Sequence, residues 1–330
     1  MSLTLINDDY KTKKFDKKDM ESLVEGIKYV EQLRLEKAPV TDEIMEIFLS
    51  GIKSLQKLVI LGCPKLTNKI FQLISENCGE LQHLELGGEE MSYNNVLNKK
   101  GLKYLVKGPS ELRSINFQFC TKIGNDSLEL IGARYYRTLE EISLIRNCFE
   151  KCEKINDESL LMLAPCYNLK RIKFVYTRKF SYNFSKYISS FFSNLSYLNL
   201  RGCPVQEKLD FLVDSCPNLV EVNLSGDSWV KCECISGLAK HQNLKILHIG
   251  HIEHGDMDCD SFSKTNPPSS LFITNLFSQR EHFSRLEVLY LEQICVQTYW
   301  IDGQILQKKP LLKVRYTPGE NDWLTNTECL

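Results

Sequence analysis

The residues best suited to chemistry are thirteen cysteines and one segment rich in side chains that bind metals. This segment, from His251 to Asp260, holds two histidines, three aspartates, one glutamate and one cysteine. These are ligand types for zinc and other transition metals. One hypothesis is therefore a metal-dependent hydrolase. The alternative is a solvated acidic loop, which Gly255 and the acidic run favour because no regular element would hold the ligands.

Four more cysteines form the close pairs Cys148-x-x-x-Cys152 and Cys232-x-Cys234, just beyond predicted strands. A structural zinc site normally needs two such pairs closing on one ion, but these pairs lie three repeats apart. The chain also lacks a Gly-x-Ser-x-Gly, a phosphate-binding loop, a Gly-x-Gly-x-x-Gly and a His-Glu-x-x-His motif. We therefore predict a protein that is not an enzyme and has no metal and no cofactor.

Six further cysteines belong to a sequence repeat with the phrase Leu-x-x-Leu-x-Leu-x-x-Cys, which often ends with a second cysteine three residues before the next leucine. The cysteines are Cys63, Cys78, Cys120, Cys166, Cys203 and Cys216. The first apolar residue of each copy, position 1, is Val30, Leu55, Leu81, Leu112, Leu139, Leu169, Leu195, Leu219, Leu244, Leu286 and Leu311. Most steps fall near the roughly 20–29 residues of leucine-rich repeats. Only the step from Leu244 to Leu286 is much longer.

The repeat predicts one strand and one helix per copy. Positions 4 and 6 of a strand face one side, and positions 3, 5 and 7 face the other. Leu84 and Leu86 should thus face the core while Glu85 faces away. Helical spacing follows, as in Thr67 to Ile74, with a Thr cap at the start. The predicted fold class is an α/β leucine-rich-repeat solenoid, a horseshoe with a parallel concave sheet and convex helices.

The pattern Cys-x-x-Leu-x-x-Leu-x-Leu-x-x-Cys, followed by an Ile-Thr-Asp-like helix start, resembles the cysteine-containing leucine-rich repeats of F-box/LRR proteins. The best match begins at Cys216-Pro217-Asn218-Leu219, and the resemblance covers about residues 30–316. It implies a substrate receptor for a Skp–cullin (SCF) ubiquitin ligase, with a Skp adaptor and a cullin as partners. An F-box opens with Leu-Pro, which residues 1–29 lack. The alternative is a scaffold or inhibitor that works without a ligase.

The predicted organisation is a capping helix region at 1–29, a solenoid at 30–316 with an inserted loop at about 251–285, and a tail at 317–330. The formal net charge of −1 gives no overall bias towards nucleic acid. No apolar run has the length of a signal peptide or of a membrane span, and the repeat cysteines are typical of buried thiols in a reducing compartment. We therefore expect a protein of the cytoplasm or nucleus, with no membrane and no nucleic-acid partner.

One long segment without acidic residues points to a binding surface. From Ser159 to Gln206 there is no Asp or Glu, but there are seven Lys or Arg and ten aromatic residues. The repeat positions bring several of them onto the concave sheet or its strand ends, with their side chains away from the core. The predicted binding residues are Arg146, Arg171, Lys173, Tyr176, Asn199 and Arg201. Because arginine pairs with carboxylate and phosphate, the predicted ligand is an acidic or phosphorylated protein segment.

Overall fold

The structure, a computed structural model, describes residues 1–6, 26–88, 97–120, 122–145, 155–177, 180, 183–203, 209–226, 230–250, 252–253, 276–277, 279, 281–292 and 305–317. The chain divides into two compact units, Met1–Leu169 and Lys170–Leu330.

The described residues of the first unit form six parallel strands, each paired with the next in chain order. They are β1 (Ser2–Ile6), β2 (Gln32–Glu36), β3 (Lys57–Leu61), β4 (His83–Gly87), β5 (Ser114–Gln118) and β6 (Glu141–Ile145). A helix follows each strand from β2 onward: α1 (Asp42–Gly51), α2 (Lys69–Asn77), α3 (Lys99–Leu105), α4 (Asn125–Tyr135) and α5 (Glu158–Leu163). The predicted strand-plus-helix repeat is confirmed in this unit.

The alternation predicted for the strands is confirmed in β4. Leu84 and Leu86 each keep 1% of their surface exposed, whereas Glu85 between them is half-buried on the other face. That other face is called the open face here, because the apolar sides of the helices cover the first one. Each leucine buried in this way contributes about 1.5–3 kcal/mol to folding. Position 4 and position 6 leucines therefore set which side chains remain on the open face.

Polar side chains connect the start of each helix with the start of the next. Thr67 donates from its backbone N–H and from its hydroxyl to the Asp42 carboxylate, at 3.0 and 2.6 Å. Asn125 Nδ2 donates to Asn156 Oδ1 at 2.8 Å, and that oxygen also accepts from Glu158 N–H at 2.9 Å. These bonds satisfy backbone donors that have no partner inside a helix. They also hold successive helices side by side and pointing the same way.

The repeat cysteines are free, buried thiols, as predicted. At position 9, Cys120 Sγ donates to the Leu86 carbonyl of the preceding strand at 3.7 Å and to the Gln118 carbonyl at 3.3 Å. Cys203 in the second unit repeats the arrangement, with Sγ 2.8 Å from the Phe174 carbonyl. A small, weakly polar side chain therefore serves backbone acceptors at the turns that follow β5 and β8.

The second unit contains a parallel sheet of β7 (Arg171–Val175), β8 (Tyr197–Asn199), β9 (Glu221–Leu224), β11 (Ile246–Ile249), β13 (Val288–Glu292) and β14 (Lys313–Thr317), paired in that order. The strands β10 (Val230–Lys231) and β12 (Ile252–Glu253) form a separate parallel pair. The described residues of this unit include the helices α6 (Asn183–Phe191), α7 (Phe211–Ser215) and α8 (Cys232–Leu238).

Three details differ from the sequence predictions. Residues Ser2–Ile6 form the strand β1, within the region predicted only as a helical cap. Part of the insertion predicted as a loop, Ile252–Glu253, is the strand β12. In the last repeat, strand β14 lies in the register predicted from Leu311, since Lys313 pairs with Val288 and Arg315 with Tyr290. The burial differs, because Leu311 is 91% exposed and the next residue, Leu312, is buried instead.

The insertion also returns to the core of the second unit. Phe277 and Phe283 are buried, with ring centroids 4.8 Å apart. Phe283 N–H donates to the Ala239 carbonyl at 2.6 Å. Residues 254–275, which include most of the predicted metal-ligand segment, lie outside the described residues. Most of the predicted capping helix lies outside them as well.

Candidate partner-binding surface

The predicted binding residues of the second unit come together on strands β7 and β8. Arg171 pairs with Tyr197 and Lys173 with Asn199 in the parallel ladder. These are positions 3 and 5, so all four side chains lie on the open face. Arg171 and Lys173 are half-buried. Together with Tyr176 and Arg201, these four residues are called the open-face patch.

Tyr197 lies at the centre of this patch. The Arg171 guanidinium carbon is 4.1 Å from the centroid of the Tyr197 ring, and Lys173 Nζ is 5.6 Å from it. Asn199 Nδ2 donates to Tyr197 Oη at 3.0 Å. Each cation–π contact contributes about 0.5–1 kcal/mol where the cation is exposed. The ring therefore holds two cations side by side and limits the freedom of both.

Arg201 lies on the predicted face but is buried, with 6% of its surface exposed. Its Nη1 donates to Ser225 Oγ at 2.7 Å, and its guanidinium carbon is 5.9 Å from the Tyr176 ring centroid. Asn199, at 9% exposure, accepts from Arg201 N–H through Oδ1 at 3.0 Å. We expected these side chains to be open to a partner. Instead, both side chains are buried within the patch and hydrogen-bond to their neighbours.

The backbone at position 8 determines where Tyr176 points. Tyr176 has φ of 58°, and Lys37, Gly62, Phe119 and Gly202 at the same position have φ between 51° and 65°. This left-handed conformation lets the chain turn under the sheet. A Cβ on Gly202 would lie 2.3 Å from Tyr176 Cδ1, so the tyrosine ring packs in the space that the glycine leaves.

One of the predicted binding residues is not among the described residues. Arg146 lies outside the described residues, so its predicted place in the patch stays a prediction. The sequence prediction did not include Tyr197, although it occupies position 3 of its repeat, facing the same side as Arg171. Reading the aromatic residues by repeat position, as was done for the cations, would have identified it.

A second polar group, which the sequence prediction also missed, lies further along the same sheet. The rings of His248 and Tyr290 stack with centroids 4.2 Å apart and planes at 3°. Glu221 Oε1 lies 2.9 Å from His248 Nε2, and Arg315 Nη1 donates to Tyr290 Oη at 3.2 Å. His248, Tyr290 and Arg315 all occupy position 5, which the repeat pattern assigns to the open face.

The chain is similar to known proteins in its structure. No family model matches the chain, and no curated protein matches it. A chain in the crystal structure of the Rad7 and Elc1 complex in yeast is similar, with a TM-score of 0.59, 17% identity, and coverage of 90% of this chain and 70% of that chain. The leucine-rich repeat-containing protein LegL7 from Legionella pneumophila has a TM-score of 0.50 and 10% identity, with coverage of 97% and 91%. The chain has the α/β leucine-rich-repeat fold.

The structural findings on metal ligands and membrane-spanning helices cover the described residues only. Within the described ranges, no group of three His, Cys, Asp or Glu side chains is arranged to hold a metal ion. Cys148, Cys152 and residues 254–260 lie outside those ranges. Cys234 is a free, buried thiol. None of the helices formed by described residues is long and apolar enough to span a membrane.

Proposed function

We propose that this protein is a recognition module that binds an acidic or phosphorylated segment of another protein through the open-face patch. The observation that carries the proposal is the cluster of Arg171 and Lys173 on the Tyr197 ring. Both cations lie on one open sheet face and are held within a few ångströms of one aromatic ring. A carboxylate or phosphate is the natural counterion for such a pair, and the Tyr197 ring, which is 9% exposed, holds both cations in place.

The proposed cellular role is that of a substrate receptor similar to the leucine-rich-repeat part of an SCF ubiquitin ligase. Its support is the cysteine-containing repeat pattern and the regular use of those cysteines in the turns. The similarity to a chain solved in a two-protein complex also supports a role in protein recognition. The alternative is a scaffold or inhibitor that uses the same surface without a ligase, in the cytoplasm or nucleus in either case.

The test of the binding surface is a double charge reversal, Arg171→Glu with Lys173→Glu. Both residues are half-buried on the open face, so we expect the variant to fold. Arg201→Glu is unsuitable, because it would place a carboxylate in a buried site and destabilise the protein. We expect affinity for the partner to fall about tenfold or more.

The matched control is Lys65→Glu with Lys308→Glu, which changes the net charge equally at two exposed positions away from the patch. Partners are collected by affinity purification from cells with the wild type, the patch variant and the control. A partner lost only from the patch variant supports the binding surface. Equal recovery in all three would contradict it.

The same purification separates the two proposed roles. Enrichment of Skp and cullin subunits with the wild type supports a ligase receptor. A stable partner complex without them supports the scaffold or inhibitor. Because the patch variant changes only the open face, loss of the substrate while Skp remains bound would also show that two different surfaces are used.

A further inference from the structure

The first unit has an unusual group of cations on the outer side of its helices α3 and α4. The group consists of Lys100, Lys103, Lys107, Arg134 and Arg137, all exposed. It is called the helix-side patch. For comparison, Lys69, Lys99, Arg113 and Lys245 each have a carboxylate oxygen within 4.0 Å. Among the described residues, no carboxylate lies that close to any of the five patch cations.

The two helices present these side chains on one surface because they lie side by side and point the same way. At their starts, Lys99 Nζ lies 3.4 Å from Asp126 Oδ2. At their ends, Tyr135 Oη donates to the Leu105 carbonyl at 3.2 Å. Packed helices are about 8–10 Å apart. Lys100, Lys103 and Lys107 follow one face of α3 and its end, and Arg134 and Arg137 lie at the neighbouring end of α4.

Two exposed tyrosines lie among the cations. Tyr104 is 47% exposed and Tyr136 is 37% exposed. Lys107 Nζ is 6.0 Å from the Tyr104 ring centroid, and the Arg137 guanidinium carbon is 5.1 Å from the Tyr136 ring centroid. Tyrosine and arginine are both enriched at protein interfaces.

Helix stability alone does not account for this arrangement. Cations near the C-terminal end of a helix interact favourably with its dipole, which explains Lys103 and Arg134. The start of a helix favours acidic residues, yet the first turn of α3 has Lys99 and Lys100 and no acidic residue. Lys99 is compensated by Asp126, but Lys100 has no such partner among the described residues.

We infer that the helix-side patch binds a short acidic segment of a protein. Five cations and two tyrosines, on a surface that spans about 10 Å between helix axes, match a run of a few Asp or Glu residues. Nucleic-acid binding proteins commonly make six to ten phosphate contacts and carry a long basic stripe. This chain has a formal net charge of −1, so it lacks the overall attraction that such partners require.

The test uses a fluorescein-labelled peptide with six consecutive glutamates, and fluorescence anisotropy at about 0.1 M salt, where exposed charges still attract over about 10 Å. Every protein carries Arg171→Glu and Lys173→Glu, so the open-face patch does not contribute. Lys103→Glu with Lys107→Glu should weaken peptide binding about tenfold, and so should Arg134→Glu with Arg137→Glu. Lys65→Glu with Lys308→Glu is the control with the same change in charge.

A second pair of changes leaves the charge unaltered. Tyr104→Ala with Tyr136→Ala should weaken binding by about threefold to tenfold, because the rings are exposed and their loss does not disturb the core. Circular dichroism checks that each variant is folded, and Lys103→Gln with Lys107→Gln replaces the charge reversal if that variant unfolds. Equal weakening by the control pair would overturn the inference. So would tighter, patch-dependent binding of a six-phosphate oligonucleotide or of phosphatidylserine vesicles.

Discussion

The repeat cysteines are best understood one residue at a time. Cys63 and Cys120 donate to carbonyls at the end of a strand, and Cys216 Sγ donates to the Phe192 carbonyl at 3.5 Å. His241 takes the place of the closing cysteine in the next repeat, and its Nε2 lies 3.0 Å from the Cys216 carbonyl. A histidine can fill this position because it also offers a ring nitrogen as a donor. The closing position therefore does not depend on thiol chemistry, since His241 takes the place of the cysteine there and bonds to the same kind of backbone acceptor.

Burial of these thiols predicts a loss of stability at alkaline pH. Burial raises the pKa of Cys63 to about 11 and that of Cys78, Cys120 and Cys166 to about 12. Above pH 9 the thiols of the unfolded chain lose protons while those of the folded chain keep them. The folded state then binds more protons, so the free energy of unfolding falls by about 1.4 kcal/mol per pH unit for each thiol until the folded pKa is reached.

Urea unfolding between pH 8 and 10.5 measures this effect, and Cys120→Ala isolates one thiol from the other groups that titrate there. The variant should be less stable at pH 8, but its free energy of unfolding should fall less steeply with pH, by about 1.4 kcal/mol per unit. Equal slopes for the two proteins would mean that the Cys120 thiol is not protected from ionisation in the folded state.

At the scale of the elements, the sequence predicted the strands of the repeats, but it did not predict every turn or the ends of the chain. Leucine spacing located β2 to β9 because a one-residue error would move every leucine to the solvent side. It did not predict β1, because Ser2–Ile6 has partly exposed side chains and no full repeat phrase. The leucine spacing assigned Leu311 to the core because Leu311 and its neighbour Leu312 have the same side chain. Only packing distinguishes Leu311 from Leu312.

The sequence predicted only part of the candidate site, because repeat position gives the face of a side chain but not its packing. Repeat positions placed Arg171, Lys173 and Asn199 on one face, and the ladder pairs Lys173 with Asn199. Position alone does not determine burial on the open face. Arg201 is covered by its neighbours, because Tyr176 turns towards it in the left-handed conformation beside Gly202. The sequence predicts a turn after the strand but not its left-handed conformation at position 8, although Gly62 and Gly202 directly precede cysteines and mark it.

Close packing between helices α4 and α5 depends on Gly132. A Cβ on Gly132 in α4 would lie 2.1 Å from the Met162 carbonyl oxygen in α5. Alanine favours a helix by about 1 kcal/mol over glycine, but the clash is with backbone and must move one helix. Gly132→Ala should therefore lower the free energy of unfolding by about 1–3 kcal/mol.

The control for this change is Gly79→Ala, since nothing lies within 4 Å of a Cβ at Gly79. Thermal unfolding followed by circular dichroism compares both variants with the wild type. The control should stay within about 0.5 kcal/mol of the wild type. If Gly132→Ala were as stable as the wild type, the contact between α4 and α5 would have to be looser than the structure indicates.

At the scale of the whole molecule, a nearly neutral chain carries local groups of cations. Formal charges of 41 basic and 42 acidic residues nearly cancel, so long-range attraction of a partner is weak. The binding proposed for the open-face and helix-side patches would then act at short range, where the partner's shape and the spacing of its acidic groups decide affinity. This distribution favours recognition of particular protein segments over general binding of polyanions.

The repeat architecture also predicts how stability varies along the chain. Each strand of the first unit pairs with strands adjacent in sequence, so a repeat is stabilised mainly by its neighbours. Among the described residues β1 pairs with β2 alone, and its side chains are exposed or half-exposed, whereas β4 pairs on both sides and buries Leu84 and Leu86. Amide protons of Ser2–Ile6 should therefore exchange at least about tenfold faster than those of His83–Gly87, after correction for intrinsic rates. Hydrogen exchange followed by mass spectrometry measures both segments in one sample, and equal protection of the two strands would show that the first unit opens only as a whole.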